Sequence, residues 1–446
     1  MNTIYPKHPK KQKKINSVHI STLGCSKNVY DSELIIGQLQ MNGVAIVDSP
    51  ETADAIIINT CGFITPAKQE SIQAILEAGE IKKGKEDLTL IVCGCLSGRY
   101  AQNLKKQIPQ VDVYLGTEDY TNILNYLNLS VKKPEYLYED RILTTPSHYA
   151  YLKISEGCNH KCAFCAIPLM RGRHRSRPIE DIVREAQLLS NKGVKELIII
   201  AQDTTFYGLD LYNRQRILDL LRELERVERL EWIRLHYAYP TTIQDELIDL
   251  MANSQKIVNY VDLPIQHISD KMLKIMKRGG TSARIKRILH HLRKRISDVA
   301  IRSTLIVGHP GETEEEFEEL MDFITEFKFD RLGAFVYSPE EGTSAFKIKA
   351  PEREIADERH ARLLGLQQKI SAEKNLRLMG KTIRIILDEY DKTTGIGRGR
   401  TYADSPEIDN EVIIEHSDSI LHPGTFYSVL ISDTAEYELF GKIVEE

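Results

Sequence analysis

The sequence contains few cysteines and no long apolar run. Seven cysteines in 446 residues are sparse and odd in number, which excludes a disulfide-rich secreted scaffold and favours a reducing compartment. No stretch of about 18 apolar residues occurs, so no membrane-spanning helix is predicted. The N-terminal stretch MNTIYPKHPKKQKK lacks the apolar centre of a signal peptide. We therefore predict a cytoplasmic protein with no membrane partner.

The length predicts more than one domain, because 446 residues exceed what one core usually holds. Residues 1–16 are predicted to form a basic tail, whose five lysines and absence of acids indicate disorder rather than a nucleic-acid arm. The polar segment 133–147 contains two prolines and is predicted to be a linker. The three predicted domains are residues 17–132, 148–377 and 378–446.

Strand and helix signals alternate through residues 17–132. Short β-branched runs are interpreted as buried strands, and these runs are VHISTLG, AIIINT, LTLIVCG and VDVYLG. A helix is predicted from Pro66 to Gly79, where the glycine is expected to end it. This alternation predicts an α/β domain with a doubly wound parallel sheet, covered by helices on both faces.

Three cysteines directly follow three of these predicted strands. They are Cys25, Cys61 and Cys95, in the stretches GCSKN, NTCGF and GCLSG. The carboxyl ends of parallel strands lie along one edge of a sheet, where ligands bind, so the three thiols can converge there. Cys93 instead lies inside the run LTLIVCG and is interpreted as a small buried apolar residue.

Six strand–helix units are predicted in residues 148–377. Their strand runs are YAYLKISEG, ELIIIAQD, LEWIRLHY, NYVDLPIQ, AIRSTLIVG and RLGAFVYS. Thr313 and Glu316 have the spacing of a capping box that begins a helix. Six such units predict a partial (β/α)6 barrel, whose functional loops lie at the carboxyl ends of the strands.

From residue 378 the apolar residues alternate with a period of two. The alternating runs are TIRIILDEYD, EVIIEHS, TFYSVLISDT and YELFGKIVEE, and Gly, Pro, Asn and Asp separate them. This pattern is typical of short strands joined by turns. It predicts a small antiparallel β-barrel over residues 378–446.

The stretch EGCNHKCAFCAIP places Cys158, Cys162 and Cys165 close together in sequence. One interpretation is a structural zinc ion with His160 or His174 as the fourth ligand. Zinc staples are typical of domains too small to form a core, whereas this barrel has enough strands to form one. The alternative is a 4Fe–4S cluster, which normally takes four thiolates. Three thiolates leave one iron open to a substrate or cofactor.

The C-x3-C-x2-C spacing, with Phe164 before the last cysteine, resembles the radical S-adenosylmethionine (SAM) signature. The resemblance implies that Cys158, Cys162 and Cys165 hold a 4Fe–4S cluster and that the amino and carboxylate groups of SAM bind its open iron. One electron from the reduced cluster then releases a 5′-deoxyadenosyl radical. That radical removes a hydrogen atom from an unactivated carbon.

A three-cysteine α/β domain followed by a radical SAM domain and a small β-barrel resembles the methylthiotransferases, over nearly the whole chain. The stretches TLGCSKNVYDSE, NTCGFI and GCLSGRY match the cysteine motifs of that family's N-terminal domain. The resemblance implies that Cys25, Cys61 and Cys95 hold an auxiliary 4Fe–4S cluster with an open iron. It also implies that the C-terminal barrel is a TRAM domain that holds substrate.

The chemistry implied by this family uses SAM twice. One SAM methylates a sulfur on the auxiliary cluster, and a second provides the radical that activates the substrate carbon. The carbon then takes the methylthio group, so that C–H becomes C–SCH3. An electron donor of the reductase or flavodoxin type is also implied, because the clusters must be reduced.

Two branches of the family differ in substrate: one modifies an adenosine of transfer RNA, the other the β-carbon of an aspartate in small-subunit ribosomal protein S-twelve. From Lys381 to Glu446, six Lys and Arg stand against fourteen Asp and Glu, a net charge of −8. Such a module would repel RNA phosphates but suits a basic ribosomal protein. The stretches GRGRTYADSPEIDNEV and IIIAQDTTFYGLDLY also resemble the ribosomal-protein branch. We therefore predict S-twelve or the small ribosomal subunit as partner, with transfer RNA as the alternative.

Several polar residues are predicted near the carboxyl ends of the barrel strands. Gln202 and Asp203, in AQDTTFYG, are predicted contacts of SAM or substrate. His267 and His309 end strands at the same mouth, although single histidines more often satisfy local backbone groups. The basic run RGRHRSR, residues 171–177, either forms a solvated face or attracts an anionic group.

Overall fold

A computed structural model describes residues 14–85, 87–134, 137–415 and 420–444. The predicted tail, residues 1–16, therefore lies outside the described residues except for its last three positions. The described residues form two compact units. The first unit contains the residues up to Thr144 with Glu156–His160 and Cys165–Arg175, and the second contains Thr145–Ser155, Lys161–Phe164 and the residues from Ser176 onward. Among the described residues, no helix is long and apolar enough to cross a membrane.

A five-stranded parallel sheet forms the centre of the first unit. Its strands are β1 (Ser17–Thr22), β2 (Ala45–Ile46), β3 (Ala55–Thr60), β4 (Thr89–Gly94) and β5 (Val113–Tyr114), and its helices are α1 (Ser26–Met41), α2 (Thr65–Gly84), α3 (Cys95–Gln107) and α4 (Tyr120–Tyr126). The strand order is β2-β1-β3-β4-β5, and every pairing is parallel. This arrangement confirms the predicted doubly wound sheet.

Each face of this sheet has its own apolar core. Ile57 and Ile91 belong to one core, whereas Ile56 and Val92 belong to the other. Successive strand residues point to opposite faces, so the continuous apolar runs of β3 and β4 supply both cores at once. A strand buried on both faces is what a parallel sheet between two helical layers requires.

Helix α2 does not end at Gly79, as predicted from the sequence, but continues to Gly84. Gly79 lies on the buried side of the helix. Packing against the sheet therefore outweighs the poor helix propensity of glycine, which costs about 1 kcal/mol relative to alanine. Lys82, in the additional turn, forms an ion pair with Asp112.

The predicted linker, residues 133–147, is partly built into the first unit. The guanidinium of Arg141 lies beside Glu33 of α1, with Nε 3.3 Å from Oε2. The backbone N–H of Thr144 donates to Glu33 Oε1 at 2.7 Å. Glu33 and Arg141 are both buried, so each charge depends on the other for compensation. The chain is thereby held against α1 as far as Thr144.

Residues 145–376 supply eight further strands and eight helices. The strands are β6 (Tyr149–Lys153), β7 (Ser155–Glu156), β8 (Arg175–Ser176), β9 (Glu196–Ile200), β10 (Trp232–Leu235), β11 (Ile257–Asp262), β12 (Ala300–Val307) and β13 (Arg331–Val336). The helices are α5 (Ile167–Arg171), α6 (Ile179–Asn191), α7 (Ile217–Glu225), α8 (Asp245–Asn253), α9 (Asp270–Ile275), α10 (Ser282–Arg295), α11 (Glu314–Phe327) and α12 (Arg353–Leu376). Six of the strands form a parallel sheet in the order β13-β12-β11-β10-β9-β6, which confirms the partial (β/α)6 barrel.

Helix α11 begins at the predicted capping residues. The backbone N–H of Thr313 donates to Glu316 Oε2 at 3.0 Å, and the capping box is complete. Three glutamates occupy the first turn of this helix, where their charge favours the positive end of the helix dipole. Local sequence alone therefore fixes where α11 starts.

The C-terminal residues form a closed five-stranded barrel. Its strands are β14 (Thr382–Asp391), β15 (Ile396–Arg400), β16 (Glu411–Ile414), β17 (Phe426–Thr434) and β18 (Glu438–Ile443), in the order β14-β15-β16-β18-β17. The sequence did not reveal β15, because IGRGR has no alternation of apolar residues. The barrel is antiparallel except for β16 and β18, which pair in parallel.

Within the second unit, the C-terminal barrel packs on the amino ends of the six-stranded sheet. Trp232, the first residue of β10, lies with its ring 4.9 Å from that of Phe426 in β17. Arg331, the first residue of β13, donates to Asp404 Oδ1 at 2.7 Å. The cysteine loop follows the other, carboxyl end of β6. The amino ends of the strands therefore contact the C-terminal barrel, whereas the carboxyl end of β6 leads into the cysteine loop.

Candidate functional site

Three cysteines that are distant in sequence lie along one edge of the first unit's sheet. Cys25 is the N-cap of α1, Cys61 directly follows β3, and Cys95 begins α3 directly after β4. Each position follows the carboxyl end of a strand. Because β1, β3 and β4 are neighbours in a parallel sheet, the three cysteine segments lie side by side at that edge.

Two glycines allow these segments to approach one another. Gly24 has φ +96°, and a Cβ built on it would lie 2.6 Å from the Cβ of Cys61. A Cβ built on Gly62 would lie 2.8 Å from the backbone N of Leu96, the residue after Cys95. Neither position accepts a side chain without moving the loop opposite. The glycines in LGCSKN and NTCGF are therefore part of the site's geometry.

The three thiols differ in their exposure. Cys25 is exposed, whereas Cys61 and Cys95 are buried. Burial raises the pKa of Cys61 and raises the pKa of Cys95 to about 12, and a negative charge on Cys25 would raise both pKa values further. The thiols therefore lie within electrostatic reach of one another. They give up their protons when a metal centre binds, since thiolates are the ligating form.

The donor set of this edge fits an iron–sulfur cluster, whose usual ligands are thiolates. Across the described ranges, no group of three or more His, Cys, Asp or Glu is close enough to hold a single metal ion. A cluster binds each thiolate to a different iron, so its ligands are farther apart than those of one ion. The zinc interpretation, with His160 or His174 beside Cys158, Cys162 and Cys165, has no such group to support it in that part of the chain.

Cys93 is confirmed as a core residue. It lies within β4 and packs in the same apolar core as Ile57 and Ile91. Complete burial raises the pKa of its thiol. Although it is only two residues from Cys95, it occupies a strand position rather than the edge of the sheet.

The cysteine loop after β6 is divided between the two units. Cys158 and Cys165 belong to the first unit, with Cys25, Cys61 and Cys95, and Cys162 belongs to the second. Within the first unit, the backbone N–H of Cys158 donates to Gly172 O at 3.1 Å. The segment after Cys165 is therefore folded back onto the segment around Cys158.

Two buried arginines beside cysteines escaped the sequence analysis. In the first unit, the positive charge of the buried Arg171 lowers the pKa of the Cys95 thiol against the larger effect of burial. In the second unit, Arg278 Nη1 lies 3.6 Å from Cys162 Sγ, and its guanidinium lies 4.1 Å from the ring centre of Tyr239. Arg171 was visible only as one member of a basic run, and Arg278 stood in MKRGG with no distinguishing pattern.

Two histidines lie in the second unit at the carboxyl ends of its strands, and both are buried. His267 Nδ1 accepts the backbone N–H groups of Ile268 and Ser269 at 2.9 and 3.0 Å, and its Nε2 lies 3.4 Å from Glu312 Oε1. His309 Nδ1 is 2.9 Å from Pro310 O. One ring nitrogen of each histidine therefore serves the local backbone, as the simpler interpretation predicted.

Gln202 and Asp203 follow β9 at the same end of the sheet. Asp203 is buried, and its Oδ1 accepts the backbone N–H groups of Thr205 and Phe206 at 2.9 and 3.2 Å. It is thus the N-cap of the short 3-10 helix Thr204–Phe206. Gln202 is partly buried. The contact of these two residues with SAM or substrate stays a prediction.

Comparisons with known proteins divide the chain in the same way as the fold. The sequence matches the uncharacterized protein family UPF0004 over residues 17–116, the radical SAM superfamily over residues 152–324 and the TRAM domain over residues 379–444. These three matches correspond to the first unit's sheet, the partial barrel and the closed C-terminal barrel. The TRAM match confirms that interpretation of the C-terminal barrel.

Curated relatives resemble this chain over nearly its whole length. Ribosomal protein uS12 methylthiotransferase RimO of Aquifex aeolicus (strain VF5) is 47% identical over 430 residues, which cover 96% of this chain and 97% of the relative. The protein of the same name from Christiangramia forsetii is 46% identical over 433 residues, covering 97% and 95%. The protein of the same name from Caldanaerobacter subterraneus subsp. tengcongensis is 46% identical over 441 residues, which cover 96% of this chain and 100% of the relative.

Solved structures share the fold at low sequence identity. The radical SAM methyltransferase TsrM from Kitasatospora setae, with cobalamin and a [4Fe-4S] cluster bound, has a TM-score of 0.53 at 14% identity and covers 74% of each chain. Its complex with tryptophan and a SAM analogue gives the same TM-score of 0.53, covering 84% of this chain and 79% of that one. At this identity the likeness supports the fold alone.

Proposed function

We infer the function from the family: the chain belongs to the RimO family of ribosomal protein uS12 methylthiotransferases, which are radical SAM enzymes. It is a transferase that modifies ribosomal protein uS12 with a methylthio group, and transfer RNA is not the favoured substrate. We propose that the acceptor is the β-carbon of an aspartate. The geometric observation that carries the proposal is the meeting of Cys25, Cys61 and Cys95 at one sheet edge.

The enzyme uses SAM and an iron–sulfur cluster, as its radical SAM domain requires. We propose two 4Fe–4S clusters, one held by Cys158, Cys162 and Cys165 and an auxiliary one held by Cys25, Cys61 and Cys95. When bound, the first would supply the electron that cleaves SAM, and the second the position that carries the sulfur to be transferred. Each set offers three thiols, so each cluster would keep one iron open to a non-protein ligand.

The chain's own residues orient the ligands and exclude water. Arg278 Nη1 contacts Cys162 Sγ, and the guanidinium packs over the ring of Tyr239. The Tyr239 hydroxyl donates to the backbone O of Arg278. Cys61 and Cys95 are buried and Cys25 is exposed, so a cluster held by these three thiols would be shielded from water at two of its ligands. We propose that Gln202 and Asp203 border the SAM or substrate position, as both follow β9 at the carboxyl edge.

The TRAM domain is proposed to dock ribosomal protein uS12 or the small ribosomal subunit through its acidic surface. Two of its acidic side chains form ion pairs with the six-stranded sheet: Asp404 pairs with Arg331 of β13, and Asp409 pairs with Arg302 of β12. The remaining acids carry the surface charge that suits a basic partner. We propose that the enzyme works in the cytoplasm with a reductase or flavodoxin-type donor. The proposed domains are residues 17–132, 148–377 and 378–446, with a linker at 133–147.

A competition between the two substrates tests this function. The anaerobically purified enzyme is incubated with SAM, dithionite and both ribosomal protein uS12 and transfer RNA, and each substrate is analysed by mass spectrometry. We expect a methylthio group in place of one hydrogen on an aspartate of uS12 and no change in the RNA. The Cys25→Ala variant is the matched control, since it should cleave SAM without transferring sulfur. Modification of transfer RNA alone would refute the substrate assignment.

A further inference from the structure

Arg171 is the last residue of α5 and one of the most enclosed charges in the first unit. Its guanidinium donates from Nη1 to Glu156 Oε2 at 2.9 Å and to Asp31 Oδ2 at 3.3 Å, and from Nη2 to Asn28 Oδ1 at 2.6 Å. Its side chain is only 4% exposed. Burying a guanidinium is costly unless its partners compensate it, so this position is a built site rather than part of a solvated basic face.

The partners of Arg171 come from two distant parts of the chain. Asn28 and Asp31 belong to the first turns of α1, directly after Cys25, whereas Glu156 precedes Cys158. Asn28 is itself fixed, because its Nδ2 donates to Leu23 O at 2.6 Å and to Thr60 O at 3.1 Å. These carbonyls precede Cys25 and Cys61, so the arginine is tied to the backbone that carries the auxiliary cysteines.

The guanidinium also acts on the cysteines through its charge. This charge opposes the burial that raises the pKa values of Cys95 and Cys61. The same helix packs on Cys95 through Ala166 and Met170, which form a small apolar cluster with that cysteine. Helix α5 thus contacts Cys95 through apolar side chains, and its last residue places a buried positive charge near the same cysteine.

The local charges show what the arginine has to balance. Arg171 faces the carboxylates of Asp31 and Glu156, and the hydroxyl of Tyr120 donates to Asp31 Oδ1 at 2.8 Å. Three thiolates at the same edge would add further negative charge. Reducing a cluster would add one more electron to this group, and a buried cation near a ligand sulfur would favour that reduced state.

We propose that Arg171 is a positioning residue for the auxiliary cluster, which through Asn28 holds the backbone before Cys25 and Cys61 in place and makes that cluster easier to reduce. The inference rests on the proposed function, because it requires a cluster on Cys25, Cys61 and Cys95. It adds a role for a residue of the cysteine loop: the segment that follows Cys165 controls the electronic state of the other cluster. Reduction here is a one-electron step, with the electron supplied by the external donor.

The test is a redox titration of the auxiliary cluster by itself. The full-length Cys162→Ala protein is reconstituted with iron and sulfide, its iron content is measured, and the cluster is titrated anaerobically with dithionite and followed by electron paramagnetic resonance. Arg171→Gln in this background should shift the midpoint to a more negative potential. We expect at least a tenfold lower ratio of reduced to oxidised cluster at the parent midpoint, which corresponds to about 59 mV for a one-electron couple.

Two further variants serve as controls. Arg173→Gln removes the same charge from an exposed position two residues away and should leave the midpoint unchanged. Arg171→Lys keeps the charge, so its midpoint should return most of the way to that of the parent protein. If Arg171→Gln cannot hold iron, Arg171→Lys decides: a bound cluster with the parent midpoint supports the role, and loss of iron in both variants overturns it.

Failure of the inference is distinguishable from failure of the proposed function. A Cys162→Ala protein without iron would refute the auxiliary cluster itself. A protein that contains the auxiliary cluster, but whose midpoint is the same with Arg171→Gln as with Arg173→Gln, would refute only the role of Arg171.

Discussion

The carboxylate of Glu196, at the start of β9, accepts a hydrogen bond from Arg234 Nε at 2.8 Å, and both side chains are completely buried. Arg400 of the C-terminal barrel pairs with the other oxygen of the same carboxylate. Burial alone would raise the pKa of Glu196, but the two arginines outweigh it and lower that pKa. One acid thus joins the radical SAM sheet to the TRAM domain.

Glu196→Gln is expected to destabilise this junction by about 3–5 kcal/mol, because it leaves Arg234 buried without its counter-charge and leaves Arg400 with Asp388 as its remaining acidic partner. Denaturation followed by the fluorescence of Trp232, the single tryptophan, measures the loss where the two domains meet. Glu231→Gln is the control, since the Glu231–Arg384 pair joins the same domains at 3.1 Å but is exposed. It should cost less than about 1 kcal/mol. Equal effects of the two variants would contradict this assignment.

Cys95→Ala and Cys93→Ala form a matched pair of buried substitutions two residues apart. Iron should fall from about eight to about four atoms per chain in Cys95→Ala, since one of two cubane clusters is lost. Cys93→Ala should keep all the iron and cost about 1 kcal/mol of stability, the usual effect of a small core truncation. Iron analysis and denaturation measure the two effects. Loss of iron in Cys93→Ala instead would make Cys93 the ligand.

Cys162→Ala should abolish SAM cleavage, whereas Cys25→Ala should preserve it. The first variant removes a ligand of the proposed SAM-binding cluster, and the second removes a ligand of the auxiliary cluster alone. Production of 5′-deoxyadenosine with dithionite and no substrate measures the difference. Cleavage of SAM by Cys162→Ala at the parental rate would be incompatible with the proposed ligand set.

Thr313→Ala should destabilise the protein by about 1 kcal/mol, because it removes the N-cap side chain of α11. Thr325→Ala, in the same helix, is the comparison: its hydroxyl is exposed and bonds only the preceding turn, at Met321 O, 2.8 Å away. That change should be near neutral. Urea denaturation of both variants decides whether the cap or merely the loss of a hydroxyl matters.

Acidification should destabilise the protein through His309. Burial lowers the pKa of this histidine to about 4, from an ordinary value of 6.5. The unfolded chain therefore binds a proton near pH 6.5 and the folded chain only near pH 4, so the free energy of unfolding falls as the pH decreases between these values. His309→Gln should flatten the stability profile in this window, with His290→Gln, at an exposed position, as the control for the side-chain change. An unchanged profile in His309→Gln would show that His309 is not the titrating group.

The elements that the sequence revealed are those with strong local signals. Strands β3 and β4 are predicted by their continuous apolar runs, and the start of α11 by the Thr313–Glu316 spacing. In each case the signal lies within a few residues of the element that it predicts. Strand β15 was missed because its glycines leave no alternation, and its pairing with β14 and β16 supplies what the local sequence lacks. Tertiary contacts also explain why α2 continues beyond Gly79: packing of the helix against the sheet outweighs the tendency of glycine to end a helix.

The sequence by itself determined the order of the domains, the two three-cysteine sets and the positions of Cys25, Cys61 and Cys95 after strands, because strand alternation and motif spacing are local properties. The tertiary structure decided which charges are buried. Arg171 and Arg173 are alike as letters in RGRHRSR, yet one is enclosed by Asn28, Asp31 and Glu156 and the other is exposed. Burial depends on segments more than a hundred residues away, and the low dielectric of that enclosure is what gives the Arg171 charge its strength.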